Sequence, residues 1–331
     1  MNNLEMEAVK RVASLPYDWS RFNNKVLLIS GGTGFIGSFL IEVLRHRTNC
    51  FGNTIKVVSL SRRGGVSDDY LENLAVDVCN PIDYTGDVDF VLHLASNTHP
   101  KQYAEDPIGT ILTNIDGCNN LLRLAVEKKA RFLLASSVEI YGQGTEKPMD
   151  EHYCGYIDCN QARAGYNEAK RTCEALTQSY RQRFGIDAVI ARVFGPDKKK
   201  DTKAMSQFMD KAVLGDEIVM KSHGEQRYSY VYIADAVSAL IKVLLDGING
   251  EAYNISDDDD GRTLRGYAEY LAMLSNQKVK FEIEDNSAVS KATFAIMDTN
   301  KLKALGWMPL YTVCQGLKET YTIKRQENTD C

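Results

Sequence analysis

The stretch from Lys25 to Gly37, KVLLISGGTGFIG, constrains this chain more than any other. Lys25 to Ser30 is a short, branched, apolar run suited to a buried strand. It breaks into Gly31-Gly32-Thr33-Gly34 before helical spacing resumes at Phe35. Glycines at 31, 34 and 37 remove the side chains from a strand-to-helix turn, so backbone N–H groups and a helix N-terminus stand open to a pyrophosphate. The alternative is a tight turn that needs glycine for packing alone. The context decides between them, because the turn follows the first strand of an alternating chain. Gly31, Thr33, Gly34, Phe35, Ile36 and Gly37 are therefore the expected cradle of a dinucleotide.

The alternation continues downstream. Residues 55–60, 74–76, 89–94, 131–136 and 187–191 read as buried strands, and 37–45, 114–129 and 166–184 carry helical spacing between several of them. Strands separated by helices imply crossover connections and a mainly parallel sheet covered on both faces. The fold class is thus α/β, a doubly wound Rossmann sheet over residues 25–191. Residues 1–24 form an N-terminal arm, and 192–331 form a smaller α/β substrate domain partly interleaved with the sheet. The acidic run Asp257 to Asp260 reads as a solvated loop, since a calcium loop beginning at Ser256 would end on Tyr267 where a glutamate is needed.

Composition narrows the partners. Lys+Arg of 39 against Asp+Glu of 44 leaves a net charge of −5, which gives no overall attraction to nucleic acid or an anionic membrane. The apolar runs fall far short of the roughly 20 residues that span a bilayer, and the start, MNNLEME, lacks the basic and apolar regions of a signal peptide. A cytoplasmic location is expected. Eight scattered cysteines without a CxxC pair, and five histidines, predict reduced buried thiols and no metal site.

The second strand ends Leu60-Ser61-Arg62-Arg63, without the carboxylate that receives an NAD ribose, so Ser61 and Arg62 favour NADP over NAD. Asp77 and Val78 after the third strand are placed to meet the adenine, and Leu94, Ala95 and Ser96 to pass the middle of the cofactor. Tyr166 and Lys170 stand four apart on a helix and share a face. An ammonium beside a phenol favours the phenolate, which makes Tyr166 a candidate base. Ser137 and Glu139 follow the fifth strand, at the carboxyl edge where a parallel sheet meets its ligand. Glu139 reaches the same crevice if that segment is extended.

Together, GGTGFIG at 31–37, HLAS at 93–96, TNIDG at 113–117, ARFLLASSVEIYG at 130–142 and YNEAK at 166–170 resemble the extended short-chain dehydrogenase/reductases, the NAD(P)-dependent epimerase/dehydratase group. The resemblance spans about residues 25 to 325. Residues 130–142 look most like the UDP-glucuronate decarboxylase branch and are similar to the sugar-nucleotide 4,6-dehydratases. It implies that Tyr166 takes a proton from a sugar hydroxyl, Lys170 holds the cofactor ribose, Ser137 bonds the same sugar oxygen and Glu139 assists next to a transient ketone. It also implies a homodimer through the helices at 114–129 and 166–184, although Leu121, Leu122, Leu124 and Ala125 equally suit covering the sheet.

Two departures stand out. The family's R-x-F-N-x-Y-G-P is shortened here to Arg192-Val193-Phe194-Gly195-Pro196, and Tyr228 occupies the place of an arginine for the substrate diphosphate. Arg192 and Arg227 remain candidate substrate ligands, although Arg227 is one place early and turned to the other face of an extended segment; Lys198 to Lys200 are alternative cations. The expected function is modification of a nucleotide-linked sugar by epimerase, dehydratase or decarboxylase chemistry. The alternative is a net NADPH-dependent reductase of a nucleotide-linked or phosphorylated sugar.

Overall fold

A computed structural model describes residues 1–96, 105–195, 204–257, 261–283 and 294–329. In chain order the first half forms α1 (Asn3–Ala13), β1 (Lys25–Ser30), α2 (Phe35–Phe51), β2 (Ile55–Ser61), β3 (Leu71–Ala75), β4 (Phe90–His93), α3 (Pro107–Lys128), β5 (Arg131–Ser137), α4 (Ala164–Phe184) and β6 (Ala188–Val193). The second half forms α5 (Ala204–Leu214), β7 (Ile218–Met220), β8 (Arg227–Tyr228), α6 (Ile233–Asp246), β9 (Ala252–Ile255) and β10 (Arg262–Thr263). It closes with α7 (Leu264–Ser275), β11 (Val279–Phe281), β12 (Phe294–Ala295), α8 (Asn300–Ala304) and α9 (Val313–Thr329).

Seven strands make the main sheet in the order β3-β2-β1-β4-β5-β6-β9, and each neighbouring pair is parallel. This is the doubly wound order with a strand added beyond β6. The added strand, β9, lies outside the stretch expected to form the sheet. It is short, and its Ala-Tyr-Asn-Ile lacks a long branched run. The sheet also recruits α6, which is apolar almost all round and buried as such a helix must be. The smaller domain is built from α5, α7 and α9 around its own apolar cluster, with β7 paired to β11 and β8 between β10 and β12.

Residues 1–24 are part of the main core. α1 opens with a reciprocal capping box between Asn2 and Glu5, and its Ala8, Val9, Val12 and Ala13 are buried in one cluster with Trp19, Phe22 and residues of α2 and α6. Helix α3 starts at Pro107 instead of 114, because Asp106 accepts the Gly109 N–H and proline suits the first turn. Leu121, Leu122, Leu124 and Ala125 are all buried against the sheet. The thiols divide: Cys118 and Cys173 are buried as expected, whereas Cys50, Cys154 and Cys159 are exposed. Of the acidic run, Asp257 is 9% exposed, contrary to a solvated residue, and 258–260 lie outside the described residues.

Asp235 ties α6 to the segment ahead of α9. It is buried, and it accepts the backbone N–H of Leu310 ahead of α9. Burial pushes its pKa up to about 7, against the opposing backbone N–H groups of Leu310 and Tyr311. A folded-state pKa above the unfolded value of about 4 means the native chain holds a proton the unfolded chain has lost. The contribution is therefore complete below about pH 4 and declines as pH rises through 7. Urea titrations should show stability falling across this interval, and Asp235→Asn should flatten the slope; an unchanged slope would place the titration elsewhere.

Candidate active site

The glycine turn between β1 and α2 fits a dinucleotide because side chains there would collide with backbone. A Cβ on Gly31, whose φ is +77°, would lie 2.9 Å from the Ala95 nitrogen, and one on Gly37 would lie 2.4 Å from the Gly31 carbonyl oxygen. Gly34 stands at the N-cap of α2, and no acidic side chain occupies that helix's first turn to compete with a phosphate. Thr33 is exposed, and Phe35 and Ile36 are half-buried at the helix entrance. On the opposite rim, the Ala95 N–H donates to Ser30 Oγ at 3.2 Å, and Ser96 Oγ donates to Asn114 Oδ1 at 2.7 Å. These bonds fix the 94–96 turn beside the glycines, with Leu94 packed against the core.

At the far end of the cradle, Ser61 Oγ donates to the Gly64 carbonyl, and Arg62 and Arg63 are exposed. The Asp77 carboxyl is held below its usual range chiefly by the Cys79 backbone N–H, with a smaller contribution from Arg62. Val78 is buried, fills the space left by Gly117 of α3, and gives its carbonyl to Asn120 Nδ2 at 2.9 Å.

Helix α4 carries the catalytic candidates to the end of β5. Tyr166 is 4% exposed and Lys170 3%; the Lys170 ammonium donates to the Ala135 carbonyl at 3.0 Å and lies 5.9 Å from the Tyr166 ring centroid. Beneath it, His93 shares a 2.7 Å bond with Ser30 Oγ, and burial pushes its pKa down to about 3, so the imidazole is neutral.

After Ser137 the chain turns into a 3₁₀ helix, Val138–Tyr141. The extended geometry expected for Glu139 is therefore replaced by a turn, which Ser137 caps by accepting the Glu139 N–H. Glu139 is held instead from α4: Asn167 Nδ2 donates to its carboxylate at 3.0 Å and to its carbonyl at 2.8 Å, and Arg163 pairs with it at 3.4 Å. Asn167 and Arg163 were missed in the sequence reading. Their signal was helical spacing, since 163, 166, 167 and 170 fall on one face.

Arg192, expected as a substrate ligand, is engaged within the protein. It forks onto the Glu174 carboxylate, with Nε at 3.1 Å and Nη2 at 2.7 Å, and Nη1 donates to Tyr141 and to the Glu151 carbonyl. Burial opposes its charge, but Glu174 outweighs this and keeps its pKa above the usual value. Glu174 sits one turn beyond Lys170 on α4 and also receives Ser136 Oγ at 2.5 Å. Arg227 donates from Nε to the Gly261 carbonyl at 3.0 Å. Pro196 and Lys198 to Lys200 lie outside the described residues. Replacing Arg192 by Met should leave Glu174 buried without its cation and destabilise the fold by roughly 3–5 kcal/mol in denaturant unfolding. A variant of unchanged stability would mean that the pair with Glu174 does not hold the fold.

Comparison with known proteins identifies the family and the fold. The chain is 29% identical to UDP-glucuronic acid decarboxylase 1 of Xenopus tropicalis over 339 aligned residues, covering 99% of this chain and 78% of that protein. It is 31% identical to UDP-glucuronic acid decarboxylase 5 of Arabidopsis thaliana, covering 89% of this chain and 88% of the relative. The fold matches the dTDP-glucose 4,6-dehydratase DesIV of Streptomyces venezuelae, solved with NAD bound, with a TM-score of 0.76 at 21% identity over 92% of this chain and 98% of that one. The model of the NAD dependent epimerase/dehydratase family matches residues 27–256. With its glycine cradle, its Tyr-Lys pair on α4 and its seven-stranded sheet, the chain belongs to the NAD-dependent epimerase/dehydratase family, the extended short-chain dehydrogenase/reductase group that its motifs resemble.

Proposed function

We propose that this enzyme modifies a nucleotide-linked sugar through a transient keto-sugar, by epimerase, dehydratase or decarboxylase chemistry. One observation carries the reading: a single helix, α4, brings Tyr166, Asn167 and Lys170 to the end of β5, where Ser137 and Glu139 lie. When bound, the nicotinamide supplies the reversible acceptor of two electrons. Tyr166 takes the proton of a sugar hydroxyl, and Lys170, one turn along the same helix, binds the ribose. Ser137 orients the same sugar oxygen. Glu139, fixed by Asn167 and Arg163, is the second acid–base group beside the new ketone.

The cofactor cradle comprises Gly31, Thr33, Gly34, Phe35, Ile36 and Gly37, with Asp77 and Val78 toward the adenine and Leu94, Ala95 and Ser96 along the middle. Exposed Arg62 beside Ser61, with no carboxylate at the end of β2, supports NADP over NAD. The same feature favours the second reading, a net NADPH-dependent reductase. A homodimer through the outer faces of α3 and α4 is supported by the exposed Ile108 and Leu112 on α3, which the sheet leaves uncovered. No helix among the described residues is long and apolar enough to cross a membrane. The free thiols suit a reducing compartment such as the cytoplasm.

Incubation with UDP-, dTDP-, CDP- and GDP-sugars, followed by product analysis, tests the reaction. Turnover with no change in the near-ultraviolet absorbance of the nicotinamide is expected; turnover that consumes NADPH mole for mole would establish the reductase instead. Tyr166→Phe should lower kcat by about 10²-fold or more with little change in KM. NADP should bind about tenfold tighter than NAD, with Arg62→Ala removing the difference, as read by fluorescence titration.

A further inference from the structure

A cluster of aromatic rings gathers beyond β6, at the place where the sequence departs from its family's motifs. Tyr228 of β8 meets Phe194 edge-on at 5.8 Å between centroids and Tyr230 at 5.6 Å, and Phe194 stacks on Tyr230 at 4.7 Å and 29°. Tyr230 in turn meets Tyr267 of α7 at 5.4 Å. Phe194 directly follows β6 and packs against the cluster of Val138, Ile140 and Tyr141, the residues that flank Glu139 in the turn after Ser137. The rings are thus continuous with the catalytic turn. The phenol of Tyr228 is raised first by burial and then by the charge of Glu139, which puts it within electrostatic reach of that carboxylate. Arg227, on the other face of β8, is turned to the Gly261 carbonyl.

We infer that Tyr228 is a specificity-determining residue, whose ring and hydroxyl contact the reacting sugar beside the turn that carries Glu139, so that β8 offers an aromatic grip on the sugar in place of a cation for the diphosphate. The inference rests on the nucleotide-sugar reading above. The chemistry fits: the C–H face of a sugar ring packs on an aromatic face while its hydroxyls bond a phenol, whereas a diphosphate calls for a guanidinium fork. Phe194 and Tyr230 hold the Tyr228 ring in place, and Glu139 favours the phenol as a neutral hydrogen-bond donor.

The test is calorimetric titration of the full chain, saturated with cofactor, with UDP-, dTDP-, CDP- and GDP-glucose and with the corresponding free nucleoside diphosphates. For the nucleotide sugar that binds best, Tyr228→Ala should weaken binding about tenfold and leave its free diphosphate within about twofold. Tyr228→Phe, which keeps the ring and the cluster, should lose a smaller, equally sugar-selective factor, so the inference stays testable if the alanine variant fails to fold. Tyr228→Arg should tighten the free diphosphate and make its binding salt-dependent. Equal losses for sugar and diphosphate, or no loss with either variant, would overturn the role of Tyr228 alone. Wild-type protein that binds none of the four nucleotide sugars would overturn the nucleotide-sugar reading, and this inference with it.

Discussion

The site depends on how α4 is seated on β5. A buried ammonium must find acceptors, and Lys170 finds one in the Ala135 carbonyl; one turn on, Glu174 finds Ser136 and the fork of Arg192. Two anchors along one helix therefore meet two consecutive residues of one strand, which fixes both the depth and the roll of α4. Tyr166 and Asn167 are carried on the same helix, so their positions follow from those anchors. Ser136, Glu174 and Arg192 hold one another and, through α4, fix the seat of Tyr166 and Lys170.

The glycine turn and the strand-helix alternation were legible because each is local: a backbone that must approach backbone needs glycine, and a buried strand needs a short apolar run. Element ends were harder. The start of α3 was set by Asp106 and Pro107, outside the apolar pattern, and β9 was too short to announce itself. The partners of Arg192 were hidden for a related reason. Its family position suggested substrate, but its environment is made by Glu174 and Tyr141, 18 and 51 residues away in sequence, and distant partners of that kind leave no periodic trace. Asn167 and Arg163, by contrast, were visible in principle from helical spacing around Tyr166.

Two kinds of chemistry meet around the turn after β5. Helix α4 brings charge, with Lys170 on the Ala135 carbonyl and Glu139 held by Asn167 and Arg163. Beyond β6, Phe194, Tyr228 and Tyr230 bring aromatic area. The glycine turn, built of backbone, is the local feature the chain shares with its family's motif, and the aromatic cluster lies apart from it, beyond β6.

The position of β9 has a consequence for biosynthesis. Because the last strand of the sheet comes after α5, β7, β8 and α6, β6 remains an uncovered edge until the chain has been made through Ile255. A nascent or truncated polypeptide ending near residue 195 would display an apolar, unpaired rim open to pairing with other chains. The ribosome must therefore deliver the chain as far as β9 before the sheet is sealed.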